Sequence, residues 1–128
     1  MKRPEQEIHK AVVGHLNWRA VPGVFFFHPA NGGKRTKAEG GILKGLGVKR
    51  GVPDLIILHK AQIFGLELKA AHGRLSPVQV QTRREMEAAG ATTAVAYDLD
   101  EALVILECWG VLRRDSSHRV AENAGATG

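Results

Sequence analysis

The sequence predicts an α/β fold, with a mixed central β-sheet flanked by helices. Helical and extended patterns alternate along the chain. Two extended stretches, residues 55–57 and 64–68, are apolar on both faces, as strands at the centre of a covered sheet must be. A capped helix then separates two strand-like stretches, which calls for a parallel pair joined by a right-handed crossover.

The first helix covers residues 5–18. Ile8, Val12 and Leu16 recur every four positions, with Ala11 and His15 beside them. Pro4 and the acids Glu5 and Glu7 suit its first turn. Pro22-Gly23 breaks the chain, and Val24-Phe25-Phe26-Phe27-His28 reads as a short buried strand. Residues 29–51 carry Gly32, Gly33, Gly40, Gly41, Gly45, Gly47 and Gly51. They also carry Lys34, Arg35, Lys37, Lys44, Lys49 and Arg50 against a single acid, Glu39. Ile42, Leu43, Leu46 and Val48 would anchor a short helical turn inside the segment. It reads either as a solvated loop or as a substrate-binding loop, whose glycines admit a phosphate backbone and whose cations neutralise it.

Residues 54–58 and 63–69 read as two strands joined by the turn His59-Lys60-Ala61-Gln62. Ser76-Pro77-Val78-Gln79 opens a helix, with Ser76 as N-cap, Pro77 in the first turn and Gln79 completing a capping box. Gly90 closes that helix. Residues 91–97 form a further strand, and Asp100 caps a final helix ending near Gly110.

Composition narrows the function classes. With 128 residues the chain fits one domain, over 1–113, followed by a polar, flexible tail at 114–128. The one cysteine, Cys108, excludes an internal disulfide and a cysteine-based zinc site, and reads as a small apolar residue buried near a helix end. A reducing cytoplasmic location is the default. No apolar signal core follows Met1-Lys2-Arg3-Pro4-Glu5, and no apolar run reaches the length of a membrane span. The formal net charge of +5 favours an anionic partner, of which nucleic acid is the commonest. His9, His15, His28, His59, His72 and His118 lack the paired spacing of a zinc motif and read as scattered, partly exposed residues, with His28 placed where a strand enters the basic loop.

The chemistry concentrates in Gly51-Val52-Pro53-Asp54 and Leu66-Glu67-Leu68-Lys69. If the hairpin turn is centred between Lys60 and Ala61, Leu58 faces Ile63, Ile56 faces Gly65 and Asp54 faces Glu67. Lys69 then projects from the same face as Glu67. A slip of one residue would send the carboxylates to opposite faces. Facing carboxylates repel unless a cation lies between them, and a hard dication such as Mg²⁺ prefers oxygen ligands. Such an ion polarises a phosphoryl oxygen and lowers the pKa of bound water, while a lysine beside it stabilises developing charge or orients the attacking water. A bland charge cluster on a solvated sheet edge is the alternative. Against it, these charges interrupt apolar runs, where a charge needs a reason.

Gly51-Val52-Pro53-Asp54 followed by Glu67-Leu68-Lys69 resembles the PD-(D/E)xK nuclease superfamily, and more closely its VRR-NUC family, the virus-type replication-repair nucleases. Leu75-Ser76-Pro77-Val78-Gln79 is similar to the family's L-S-x-x-Q segment, and Glu5-Gln6-Glu7-Ile8-His9 to its first-helix E-x-x-I-Q pattern, from which His9 departs. Asn31-Gly32-Gly33-Lys34-Arg35 and Lys44-Gly45-Leu46-Gly47 resemble the loop before the aspartate in small bacterial and phage members. The resemblance spans residues 5–97.

It implies a restriction-endonuclease-like core, Asp54, Glu67 and the Leu68 carbonyl as ligands of Mg²⁺ or Mn²⁺, and Lys69 as the catalytic lysine. Glu5 matches an acid near the metal, or serves the helix dipole. Glu7 is a substitute that points away from the apolar face. Gln79 matches a glutamine close to the active site, and can cap its helix as well. Asn31, Lys34, Arg35, Lys37, Lys44, Lys49 and Arg50 would bind DNA. The activity implied is a structure-selective deoxyribonuclease resembling the Holliday-junction resolvases, acting as a homodimer on four-way junctions in the cytoplasm of a bacterial or phage-infected cell. The alternatives are a flap, nick or general duplex nuclease, and a catalytically silent DNA-binding module. Val104, Leu106 and Trp109 serve either a dimer interface or the core.

Overall fold

The computed structural model describes residues 4–30 and 36–114. The four helices are α1 (Pro4–Arg19), α2 (Lys37–Gly45), α3 (Pro77–Ala88) and α4 (Leu99–Cys108). The four strands are β1 (Phe25–Phe27), β2 (Leu55–His59), β3 (Gln62–Leu68) and β4 (Thr92–Ala96). They form one sheet in the order β1-β2-β3-β4. β1 and β3 run antiparallel to β2, and β4 runs parallel to β3, so the expected mixed sheet and parallel pair are present.

The β2–β3 register follows from its turn. Leu58 faces Ile63, Ile56 faces Gly65 and Leu55 faces Leu66. Lys60 and Ala61 occupy the two-residue turn with φ of 50° and 63°. Positive φ at both central positions matches the right-handed strand twist, as in a type I′ turn. The ladder ends at Leu55, and extending its register by one pair would bring Asp54 opposite Glu67, as the sequence predicts.

Leu55, Ile57, Phe64, Leu66 and Leu68 are buried in the sheet. Val12 and Leu16 of α1 and Ala102 and Leu106 of α4 join that core. Phe64 stacks on Trp109 at a centroid separation of 4.8 Å. Leu106 and Trp109 therefore belong to the packing, whereas Val104 is exposed. Arg19 is buried at the end of α1, where it pairs with Glu107 at 3.3 Å and donates to the Arg113 carbonyl and to His15 Nδ1. Its burial was not legible in the sequence, because the partners lie on distant segments.

Three local expectations need correction. β1 is not a buried strand: Phe25 and Phe27 are exposed, because β1 is the sheet edge and these side chains have no covering layer. Cys108 is exposed, because it falls on the outward side of α4. Asp98, not Asp100, caps α4, with its Oδ1 accepting from Glu101 N–H at 2.8 Å. Asp98 has the extended backbone that an N-cap needs, and Asp100 already lies within the first turn. The helical turn expected within residues 29–51 is a helix of nine residues, α2, opened by a capping box between Thr36 and Glu39. The proposed tail lies outside the described residues apart from Arg114. Among the described residues, no helix is long and apolar enough to cross a membrane.

Candidate active site

Asp54 reaches its position through a rigid approach. Gly51 has φ +78°, and a Cβ there would lie 2.6 Å from the Val78 carbonyl oxygen and 2.9 Å from Thr82 Oγ1. Only glycine lets the chain pass this close to α3. The buried Thr82 hydroxyl donates to the Arg50 carbonyl at 2.7 Å and ties the same approach to α3. Pro53 is buried over Gly65, where an added Cβ would come within 2.8 Å of the proline ring. The Gly-x-Pro-Asp sequence thus delivers Asp54 to the end of β2 with little freedom.

Asp54 Oδ2 accepts the Leu68 N–H at 2.7 Å, which locks the aspartate onto β3 beside Glu67. Glu67 is buried at 2% exposure, within hydrogen-bonding reach of the Asp54 carboxyl. Burial first, then the hydrogen bond with Asp54 and the Asp54 charge, push the Glu67 carboxyl up to about 9. The Lys69 ammonium opposes this and the Glu5 carboxylate adds to it. Both charges therefore act on Glu67, which gathers Glu5 of α1, Asp54, Glu67 and Lys69 in one neighbourhood. β4 holds the strand in place past Leu68, since Lys69 N–H donates to the Ala96 carbonyl at 2.9 Å.

The donor set fits a hard dication. Glu67 Oε2 is buried with no hydrogen-bond partner among the described residues, next to a second carboxylate. An orphaned buried acceptor is costly, and a cation between the two acids would satisfy it.

Other expected site residues are placed less centrally. Gln79 completes the capping box: its Oε1 accepts Ser76 N–H at 2.8 Å, and its own N–H donates to Ser76 Oγ at 3.2 Å. Its side-chain carbonyl is thus committed to the helix, leaving the amide NH₂ as what it can offer a ligand. Glu7 is exposed. Lys37, Lys44, Lys49 and Arg50 are exposed on and after α2, and Lys49 pairs with Glu85 of α3 at 2.7 Å. That lysine and Gln81 hold the Glu85 carboxyl below its ordinary range. A cleft of about 810 Å³ between α2 and α3 is lined by Lys44, Lys49 and Arg50. Asn31, Lys34 and Arg35 lie outside the described residues.

Two histidines lie beside Asp54: His9, which the sequence reading treats as scattered, and His28, which it singles out as the exception worth testing. His28 Nδ1 lies 2.6 Å from the Asp54 carbonyl oxygen, and the His9 ring meets the His28 ring edge-to-face at 4.5 Å. Ring nitrogens of both and an Asp54 carboxylate oxygen lie within 4.8 Å of one another. Burial, with the neighbouring His28, holds His9 below the ordinary imidazole range, against the pull of Asp54. The signal available in the sequence was position alone: His9 follows Glu5 by one helical turn, and His28 ends the strand that pairs with β2.

Solved structures share this architecture. One, described as a VRR_NUC domain protein, superposes over 89% of this chain and 99% of its own, with a TM-score of 0.67 and 20% identity. The chain has the VRR_NUC domain fold. A second structure, described as a VRR_NUC domain, covers 83% of this chain and 97% of its own, with a TM-score of 0.56 and 18% identity. No family model matches the sequence, and no curated protein matches it.

Proposed function

We propose that this chain is a Mg²⁺- or Mn²⁺-dependent endonuclease that hydrolyses DNA phosphodiester bonds, selective for branched substrates such as four-way junctions. The observation that carries this reading is the buried Asp54–Glu67 pair, with one Glu67 oxygen unsatisfied and Lys69 close by. The VRR_NUC names of the structural neighbours support it.

Asp54, Glu67 and the Leu68 carbonyl would hold the cation, and Glu5 would add negative charge at its edge. A dication bound there supplies Lewis acidity toward a phosphoryl oxygen and a lowered pKa for a coordinated water. Glu67 must give up its proton to ligate, so loading the site releases a proton. The Lys69 ammonium stabilises charge that develops on the phosphate and orients the water for attack. Lys37, Lys44, Lys49 and Arg50 supply phosphate contacts, which position a duplex without reading its sequence. A two-fold homodimer would present two such sites to the two strands of a junction.

The test is cleavage of a labelled four-way junction with Mg²⁺ or Mn²⁺, comparing wild type with Asp54→Ala and Lys69→Ala. Paired symmetric nicks are expected for wild type, with losses of about 10²–10³-fold or more in Lys69→Ala, the scale of one lost transition-state contact. Equal cutting of linear duplex would replace junction selectivity with general nuclease activity. Tight binding without any cutting would make the chain a DNA-binding module.

A further inference from the structure

We propose that His9, His28 and Asp54 form a second cation position beside the Asp54–Glu67 pair, one that takes a zinc-class transition-metal dication instead of Mg²⁺. It shares Asp54 with the proposed nuclease centre, but its existence does not depend on DNA cleavage.

Three observations carry it. The first is convergence. His9 comes from α1, His28 directly follows β1 and Asp54 directly precedes β2, yet one possible ligand atom of each lies within 4.8 Å of the others. Donors around a tetrahedral zinc ion sit roughly 3.4 Å apart, given metal–ligand distances of about 2.0–2.2 Å. The 4.8 Å limit is wider than that spacing, so the cluster must draw in to hold an ion.

The second is the ring state of His28. A carbonyl oxygen only accepts, so the 2.6 Å contact with the Asp54 carbonyl places a proton on Nδ1. The neutral ring then carries its lone pair on Nε2. A ligating histidine characteristically donates its other N–H to a backbone carbonyl, which fixes tautomer and orientation. His28 also precedes Pro29, which restricts its backbone to the extended region and holds the ring at the strand end.

The third is the donor chemistry. Two imidazoles and one carboxylate make three protein ligands with a position open for water, the ligand number of catalytic zinc sites. Imidazole nitrogen favours zinc, iron and nickel, whereas Mg²⁺ and Mn²⁺ favour oxygen. The two neighbouring positions thus differ in kind: oxygen donors around Glu67, and mixed nitrogen and oxygen donors around the histidines.

The experiment is calorimetric titration of metal-free, full-length protein with Zn²⁺ and separately with Mg²⁺, without DNA. Wild type, His28→Ala, His9→Ala and Glu67→Gln are compared. Each histidine variant should weaken Zn²⁺ binding at least about tenfold, the lower bound even for a lost outer-shell partner. Glu67→Gln should keep Zn²⁺ affinity within about threefold of wild type, while Mg²⁺ binding falls in Glu67→Gln and not in the histidine variants. A second reading needs no variant: ¹H–¹⁵N spectra of the imidazole rings during Zn²⁺ addition should show one nitrogen of His9 and one of His28 shifting together. Unchanged Zn²⁺ affinity in both histidine variants, or rings that do not respond, would overturn the proposal. Absence of DNA cleavage with intact Zn²⁺ binding would count against the nuclease reading alone.

Discussion

Without a divalent cation, Glu67 carries a proton at neutral pH that the unfolded chain would have shed. Its carboxyl is raised from an ordinary 4.5 to about 9, by burial first and then by Asp54. The folded form thus holds this proton more tightly than the unfolded form. The resulting stabilisation is fully present below about pH 4.5 and is lost as pH rises through about 9. Within that window each pH unit removes up to about 1.4 kcal/mol. Moving from about pH 5.5 to about pH 8.5 therefore removes about 4 kcal/mol, a large part of the roughly 5–15 kcal/mol that a domain possesses. Glu67→Gln keeps the shape and cannot ionise, so it lacks this component. Urea unfolding in EDTA at the two pH values measures it, as the extra stability that wild type loses relative to the variant. Adding Mn²⁺ at the higher pH should restore wild type and leave Glu67→Gln unchanged. Parallel losses in the two proteins would mean that Glu67 is already ionised when folded, and the account of the carboxyl pair would be wrong.

Gly51→Ala should destabilise by about 3 kcal/mol, combining left-handed backbone strain with the approach to Val78 and Thr82. It should also lower cleavage by shifting Asp54; an unchanged melting temperature would contradict the close approach. Arg19→Ala removes a buried guanidinium together with its bonds to Glu107, His15 and the Arg113 carbonyl, and should lose about 3–5 kcal/mol in urea unfolding. Replacing Lys60-Ala61 by Asn-Gly relieves positive φ at two residues and should add about 1 kcal/mol, read as a higher urea midpoint at constant slope.

Much of the site's architecture follows from local sequence alone. Centring the turn on Lys60 and Ala61 was an assumption that the ladder bears out, and side-chain alternation then brings Asp54 toward Glu67. Ser76 and Gln79 likewise specify the start of α3, because capping is a short-range hydrogen-bond problem. The length and apolarity of residues 64–68 were enough to place β3 in the interior.

What sequence could not decide depends on which distant surfaces meet. β1 looked buried because three phenylalanines are apolar, but its place at the sheet edge leaves Phe25 and Phe27 uncovered. Cys108 looked buried for its chemistry, yet it is exposed. The burial of Arg19 required Glu107 and Arg113 from the far end of the chain. The grouping of His9, His28 and Asp54 is the clearest instance, since its members come from three elements and share no spacing. Sequence by itself determined the start of α3, whose physics acts over a few residues, and the hairpin register once its turn was centred; packing of helices and strands on one core decided which polar groups were buried together.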